Sequence, residues 1–238
     1  MKTLLCVSIC FSLSVTAMAA DRIEKPFNGK DLSGWSLKGK PSGSYWKVGG
    51  AKLNPKNPSK FIVEAGAELI NDKGNADRGR GVDIHSKFQH GTARIEIEVM
   101  VPKGSNSGVY VQGEYEVQIF DSWGVKKPRA VDIGAIYSAA PPRVNAAKKP
   151  GEWQKLVIDF EAPKFDADGK VRRKARFVKV SLNGETIHEN VEMKGPTPGG
   201  LTGKEHAKGP ILFQGNHGPV SYRNLKITRM VFQKLQAK

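Results

Sequence analysis

Period-two alternation is the feature that most constrains this chain. Residues 93–100, ARIEIEVM, put Ala93, Ile95, Ile97 and Val99 on one face and Arg94, Glu96 and Glu98 on the other. That is the pattern of a strand with one buried face. WQKLVIDF (153–160) alternates in the same way. Residues 177–182 and 185–192 flank Asn183-Gly184, a pair suited to the positive φ angles of a tight hairpin turn. No stretch longer than a few residues has a helical period, and neither an internal repeat nor a linker splits the chain. Short strands separated by turns predict an all-β sandwich or barrel of antiparallel strands. Within it, 44–53 reads as two short strands around a Gly49-Gly50 turn. Residues 71–81, NDKGNADRGRG, read as a polar loop.

The first twenty residues read as a secretory signal peptide. Lys2 is the positive start, Leu4 to Val15 the apolar core and Ala17-Met18-Ala19 the cleavage motif. The apolar run is too short and too interrupted to cross a membrane. The chain is therefore expected to be exported, to the periplasm or outside the cell. Both cysteines, Cys6 and Cys10, fall inside this segment, so residues 21–238 carry no disulfide and no thiolate chemistry. That length suits one all-β domain with a core of its own.

The formal charge of +15 raises nucleic acid as a partner. The basic residues are dispersed, however, and not interleaved with aromatics. The densest run, KVRRK (170–174), adjoins Asp166 and Asp168 and reads as a solvated loop or strand end, so no nucleic-acid partner is expected. Asp166-x-Asp168-Gly169 begins like a calcium loop, but Phe177 stands where the bidentate acid belongs. With no HExxH motif either, no metal or cofactor is expected.

The functional centre of the sequence is 104–123, GSNSGVYVQGEYEVQIFDSW. Val109 and Val111 alternate with Tyr110 and Gln112. Gly113-Glu114 suits a two-residue loop, and the return strand places Tyr115, Val117 and Ile119 opposite Glu116, Gln118 and Phe120. A one-residue bulge would return Asp121 to the face of Glu116 and Gln118. The result is a wet sheet face bearing Tyr110, Gln112, Glu116, Gln118 and Asp121, which is also what an ordinary solvated strand looks like.

An ordered set of segments carries a resemblance. FNGKDLSGW, YWKV, VPKGSNSGVYVQGEYEVQIFDSWG, GAIY, APPRVNAAKKPGEWQ, FEAPKFDADGK, NGETIHENVE, GPT and GPILFQGNHGPVSYRNLKI together resemble the 3-keto-disaccharide hydrolase family, from Phe27 to Ile227. The resemblance implies a concanavalin A-like jelly-roll β-sandwich of two antiparallel sheets, export, and action on oxidised glycosides. Two positions depart from the family pattern. Glu114 is acidic where the family is often basic, and QGNHG replaces a QDHG-like stretch before His217.

The implied chemistry starts from acidity. A C3 ketone acidifies the C2 proton, whose removal leaves an enolate that can expel the C1 group. Adding water completes a net hydrolysis, and the sequence calls for a base, an acid and a stabiliser of the enolate oxygen. Glu116, Asp121 and His217 are the candidates for acid–base work, with the base among them left open. Tyr110, Gln112, Gln118, Tyr137, Asn145 and Gln214 suit sugar hydroxyls, and Trp123 suits a sugar face. Trp35, Trp46 and Trp153 suit the core. The spacing E-x-Q-x-x-D resembles that of β-glucanases with E-x-D-x-x-E, so a two-carboxylate glycosidase competes. A non-catalytic carbohydrate-binding module also competes. In the bland alternative Glu116 and Asp121 pair with cations such as Arg143 or Arg223.

Overall fold

The computed structural model describes residues 22–72 and 81–232. The expected signal peptide and residues 73–80 of the glycine-rich loop lie outside the described residues. Two antiparallel sheets form a jelly-roll sandwich. The eight-stranded sheet contains β1 (Ile23–Glu24), β3 (Trp46–Leu53), β4 (Phe61–Asn71), β6 (Ala93–Met100), β9 (Gln154–Glu161), β12 (Arg176–Leu182), β13 (Glu185–Glu192) and β15 (Val220–Arg229). Its order is β13-β12-β9-β6-β15-β4-β3, with β1 also on β15. The five-stranded sheet contains β2 (Trp35–Lys38), β5 (Asp83–His90), β7 (Asn106–Val111), β8 (Tyr115–Phe120) and β14 (Gly209–Phe213), in the order β2-β5-β14-β7-β8. A small ribbon pairs β10 (Lys164–Phe165) with β11 (Val171–Arg173).

Alternation places the core as expected. Ala93, Ile95, Ile97 and Val99 of β6 are buried between the sheets, with Ile95 paired to Ile158 and Ile227. Arg94 and Glu98 point outward, where they meet Asp159 and Arg223. Aromatic stacking joins the sheets: Phe213 of β14 lies 4.0 Å from Tyr222 of β15 and 5.3 Å from Trp35, centroid to centroid. Trp46 stacks 6.4 Å from Tyr222. Trp153 instead packs on a small cluster of Ala51, Phe61, Ile70 and Met100, with the Arg223 guanidinium 3.9 Å above its ring. The Asn183-Gly184 turn forms as expected, with φ of 53° and 93° and Leu182 facing Glu185.

Gly49 and Gly50 do not form a turn. They lie within one continuous β3, at a register shift against β4. The reason is steric: a Cβ on Gly66 of β4 would collide with the Gly50 backbone, so these glycines serve close strand approach.

Candidate active site

The β7–β8 ladder runs without a register shift and pairs Tyr110 with Glu116 and Gly108 with Gln118. The side chains of Tyr110, Glu116 and Gln118 therefore share the outer face of the five-stranded sheet, while Val109, Val117 and Ile119 enter the core. A cleft of about 320 Å³ opens on that outer face. Tyr110, Glu116, Gln118, Gln214 and His217 line it from the sheet and the β14–β15 turn. Tyr137 and the Pro198-Gly199 carbonyl segment wall it from the loops.

Glu116 is the central group. It is 3% exposed, and desolvation lifts its carboxyl pKa to about 7, against a hydrogen bond from Tyr110 and with added repulsion from Asp83. Tyr110 has one hydroxyl proton and two acceptors, Glu116 and the Pro198 carbonyl oxygen at 3.1 Å. When Glu116 is ionised the charge-assisted bond is the stronger. Burial and the Glu116 charge raise the Tyr110 pKa, so its hydroxyl stays a donor. Backbone bonds fix Glu116 on both sides: its N–H donates to Thr197 Oγ1 at 3.0 Å, and its carbonyl accepts from Tyr137 N at 3.0 Å.

Around it stand groups that the alternation pattern did not single out. Lys38 on β2 pairs in register with Asp83 on β5, and its ammonium sits 3.6 Å from the Asp83 carboxylate. It also donates to Gly199 O at 2.7 Å and Gly200 O at 2.8 Å, so the charge is fixed at the cleft wall. Asp83 accepts from Gly215 N at 2.9 Å. Gln118 spends its amide hydrogens on Asn106 Oδ1 and on carbonyls of 107 and 119, which orients Asn106 into the cleft lining. His217 Nδ1 is 2.5 Å from Asn216 Oδ1. A ring that donates Nδ1–H to an amide oxygen keeps its lone pair on Nε2.

Four sequence candidates lie away from the cleft lining. The bulge expected at Asp121 is absent: β8 ends at Phe120, and the Asp121 carboxylate accepts from Gly104 N at 2.9 Å and Trp123 N at 3.3 Å. It ties the turn before β7 to the end of β8. Gln112 lies in the hairpin connection, with φ of 53°, because the connection is Gln112-Gly113-Glu114 and Val111 pairs with Tyr115. Its buried amide donates to the carbonyls of His90 and Ala207, both at 3.2 Å. Trp123 is 52% exposed beyond the strand end, beneath Lys149. Asn145 joins two loops through Ser122 O and Val125 O, both at 2.8 Å. The cations considered as bland partners are engaged elsewhere, Arg143 with Glu189 and Arg223 with Glu98.

Glu114 is buried behind the cleft wall. Its carboxylate accepts from Thr202 N at 2.7 Å, Thr202 Oγ1 at 2.8 Å and Gly203 N at 2.9 Å. An acid suits this position because the three groups bonded to it are donors.

The chain is thus a jelly-roll sandwich with a polar, carboxylate-bearing cleft on the outer face of one sheet. The chain belongs to the 3-keto-alpha-glucoside-1,2-lyase-like domain family, which residues 23–228 match. It is 24% identical over 188 residues to a 3-keto-disaccharide hydrolase of Bacteroides thetaiotaomicron, an alignment covering 64% of this chain and 60% of that one. The chain thus spans about 60% of that relative's length. Among solved structures, a Parabacteroides distasonis protein named as a candidate glycosyl hydrolase superposes with a TM-score of 0.65 at 28% identity, over 87% of this chain and 84% of that one. A second candidate glycosyl hydrolase of the same organism shares the fold, with a TM-score of 0.57 at 18% identity, over 88% and 94%.

Proposed function

We propose that the chain cleaves the C1 bond of 3-keto-glycosides by elimination, with Glu116 as the base that removes the C2 proton. One observation carries this reading: a buried carboxyl in a sugar-sized cleft, with a pKa of about 7 and a tyrosine hydroxyl beside it. Such a carboxylate is a far stronger base than an exposed glutamate yet is substantially ionised near neutral pH.

The C2 proton passes to Glu116 and the electron pair moves onto the C3 oxygen as an enolate. The fixed Lys38 charge stabilises that developing negative charge. The enolate then re-forms the ketone, a C1–C2 double bond forms, and the C1–O bond breaks. The leaving oxygen takes the proton from Glu116. In the hydration step His217 Nε2 takes a proton from water as its oxygen adds to C1, and the enolate that forms takes a proton at C2 from the histidinium through solvent, which restores neutral His217. Tyr110, Gln118, Tyr137 and Gln214 bind hydroxyls of the ring. Residues 1–20 direct export, so the substrate is met in the periplasm or outside the cell.

Asp83 and Glu116 in one cleft also constitute a two-carboxylate arrangement, which suits hydrolysis of unoxidised glycosides. Product release from a chromogenic 3-keto-glucoside and from the unoxidised glucoside separates the readings. Release from the keto substrate alone, abolished in Glu116→Gln, supports elimination. Equal release from both overturns it, and binding without release from either points to a carbohydrate-binding module.

A further inference from the structure

The loops after β8 carry a surface that the cleft does not use. Residues 122–150 contain six cations and a single acid, Asp132. Arg129 pairs with that acid and Arg143 with Glu189. Lys126, Lys127, Lys148 and Lys149 are exposed and form no ion pair among the described residues. Cations that are dispersed along the chain as a whole thus gather, uncompensated, in two loops that Asn145 ties together.

The same loops expose apolar surface. Trp123, Val131 and Val144 are each about half exposed. Trp35 and Trp46 are buried, and Trp153 is half-buried under Arg223, so Trp123 is the exposed tryptophan. Its backbone is held on both sides. Trp123 N donates to the Asp121 carboxylate at 3.3 Å, Ser122 O accepts from Asn145 at 2.8 Å, and Ser122 Oγ accepts from Ile133 N at 2.9 Å. The ring is presented to solvent by a bonded frame.

Charge and apolar surface meet at Trp123, where the Lys149 ammonium sits 5.8 Å from the ring centroid. A sugar stacking on that face would have to displace the lysine, and the amide of Asn145 is already spent on the loops. Exposed valines add nothing to the binding of a hydrated polysaccharide. A bilayer interface accepts all three kinds of group: tryptophan at headgroup depth, aliphatic side chains at the acyl boundary and lysines among anionic headgroups.

We propose that this surface docks the protein on an anionic phospholipid bilayer, through Trp123 and the four lysines. The proposal is independent of the role given to Glu116.

The test is sedimentation of the whole protein with sucrose-loaded vesicles of phosphatidylcholine, with and without phosphatidylglycerol. At about 0.15 M salt the Debye length is about 8 Å, so remote charges contribute little. Partitioning onto the phosphatidylglycerol vesicles is expected to be roughly twentyfold stronger or more. Lys126→Ala with Lys127→Ala is expected to weaken it about twenty-fivefold, or about fivefold per lysine, and Trp123→Ala about tenfold. Thermal melts check that these exposed changes leave the fold intact. Lys204 and Lys208 are exposed in the loop that bonds Gly113, at the other end of β8. Replacing both with alanine is expected to weaken binding about twofold or less. Equal loss in the two double variants would make the binding a property of the +15 net charge and overturn the docking surface. Tryptophan emission is expected to shift to the blue on the anionic vesicles and to stay unshifted in Trp123→Phe; a shift that survives in that variant overturns insertion at Trp123. Capture on soluble polygalacturonate without binding to the vesicles overturns the bilayer and assigns the surface to an acidic polysaccharide.

Discussion

Gly108 lies directly beneath the Glu116 carboxylate: a Cβ at position 108 would run into Glu116 Oε1 and come within 3.0 Å of Tyr110 Cε2. The missing side chain is thus what lets the buried carboxyl and the tyrosine hydroxyl occupy one space. Gly108→Ala is expected to displace both. Catalytic efficiency on a 3-keto-glycoside should fall at least tenfold, while stability falls by about 1–3 kcal/mol, the ordinary cost of overpacking. Steady-state kinetics beside thermal melts would show it. Unchanged kinetics would mean that the carboxylate position is not critical.

Two buried groups give the fold opposite pH dependences. Burial raises the Glu116 pKa in the folded chain to about 7, against 4.5 for an exposed glutamate. Its stability contribution is intact below about pH 4.5 and is lost as pH rises through 7. His90 is buried, its two ring nitrogens facing Gly91 O and the Gln112 N–H, and burial lowers its pKa to about 4. Its contribution is intact above about pH 6.5 and is lost as pH falls through 4. Each shift corresponds to about 3 kcal/mol, so the two nearly cancel in the wild type. Glu116→Gln should be more stable than wild type at pH 8 and should lose stability steeply between pH 6.5 and 4. Urea unfolding at several pH values would expose a parallel pair of curves if this account were wrong.

The same carboxyl sets the pH–rate profile. A base must be ionised, so kcat/KM should rise with pH through about 7 and level off above it. An activity that falls across that range would assign Glu116 to the acid role instead.

Glu114 positions the loop that walls the cleft. Removing its carboxylate in Glu114→Ala leaves the N–H groups of Thr202 and Gly203 without their partner. A cost of about 3 kcal/mol is expected, in line with loss of charge-assisted hydrogen bonds. Limited proteolysis should cut within residues 196–204 of the variant first. The kcat should fall more than KM rises, because Lys38, whose charge stabilises the developing enolate, is held by the Gly199 and Gly200 carbonyls of that loop.

The all-β class is legible in the sequence from strand alternation along the chain, with the jelly roll coming from the family resemblance. The pair Tyr110–Glu116 is legible because one short hairpin aligns the two and its alternation decides which residues share a face. Asp121 lay beyond that reach. A residue just past the end of a strand is aimed by its local turn, here through Gly104 and Trp123, and not by the pleat. Gln112 falls in the loop and not on the strand face, since a two-residue loop at Gly113-Glu114 and a three-residue loop at Gln112-Gly113-Glu114 are both credible until the register is known. Lys38 and Asp83 left no sequence signal. They meet because β2 pairs with β5, a long-range choice made by the packing of Trp35 and Ile84 into the core. Gly49-Gly50 was ambiguous because glycine serves a turn and a close strand approach equally well.

The most direct test of C2 proton abstraction is to run the reaction in D2O with a 3-keto-glycoside and follow C2 of the sugar by NMR. Deuterium at C2 of the released sugar is expected, appearing far faster than without protein and absent with Glu116→Gln. Release of a sugar that keeps its original C2 proton would contradict elimination and point to direct displacement at C1.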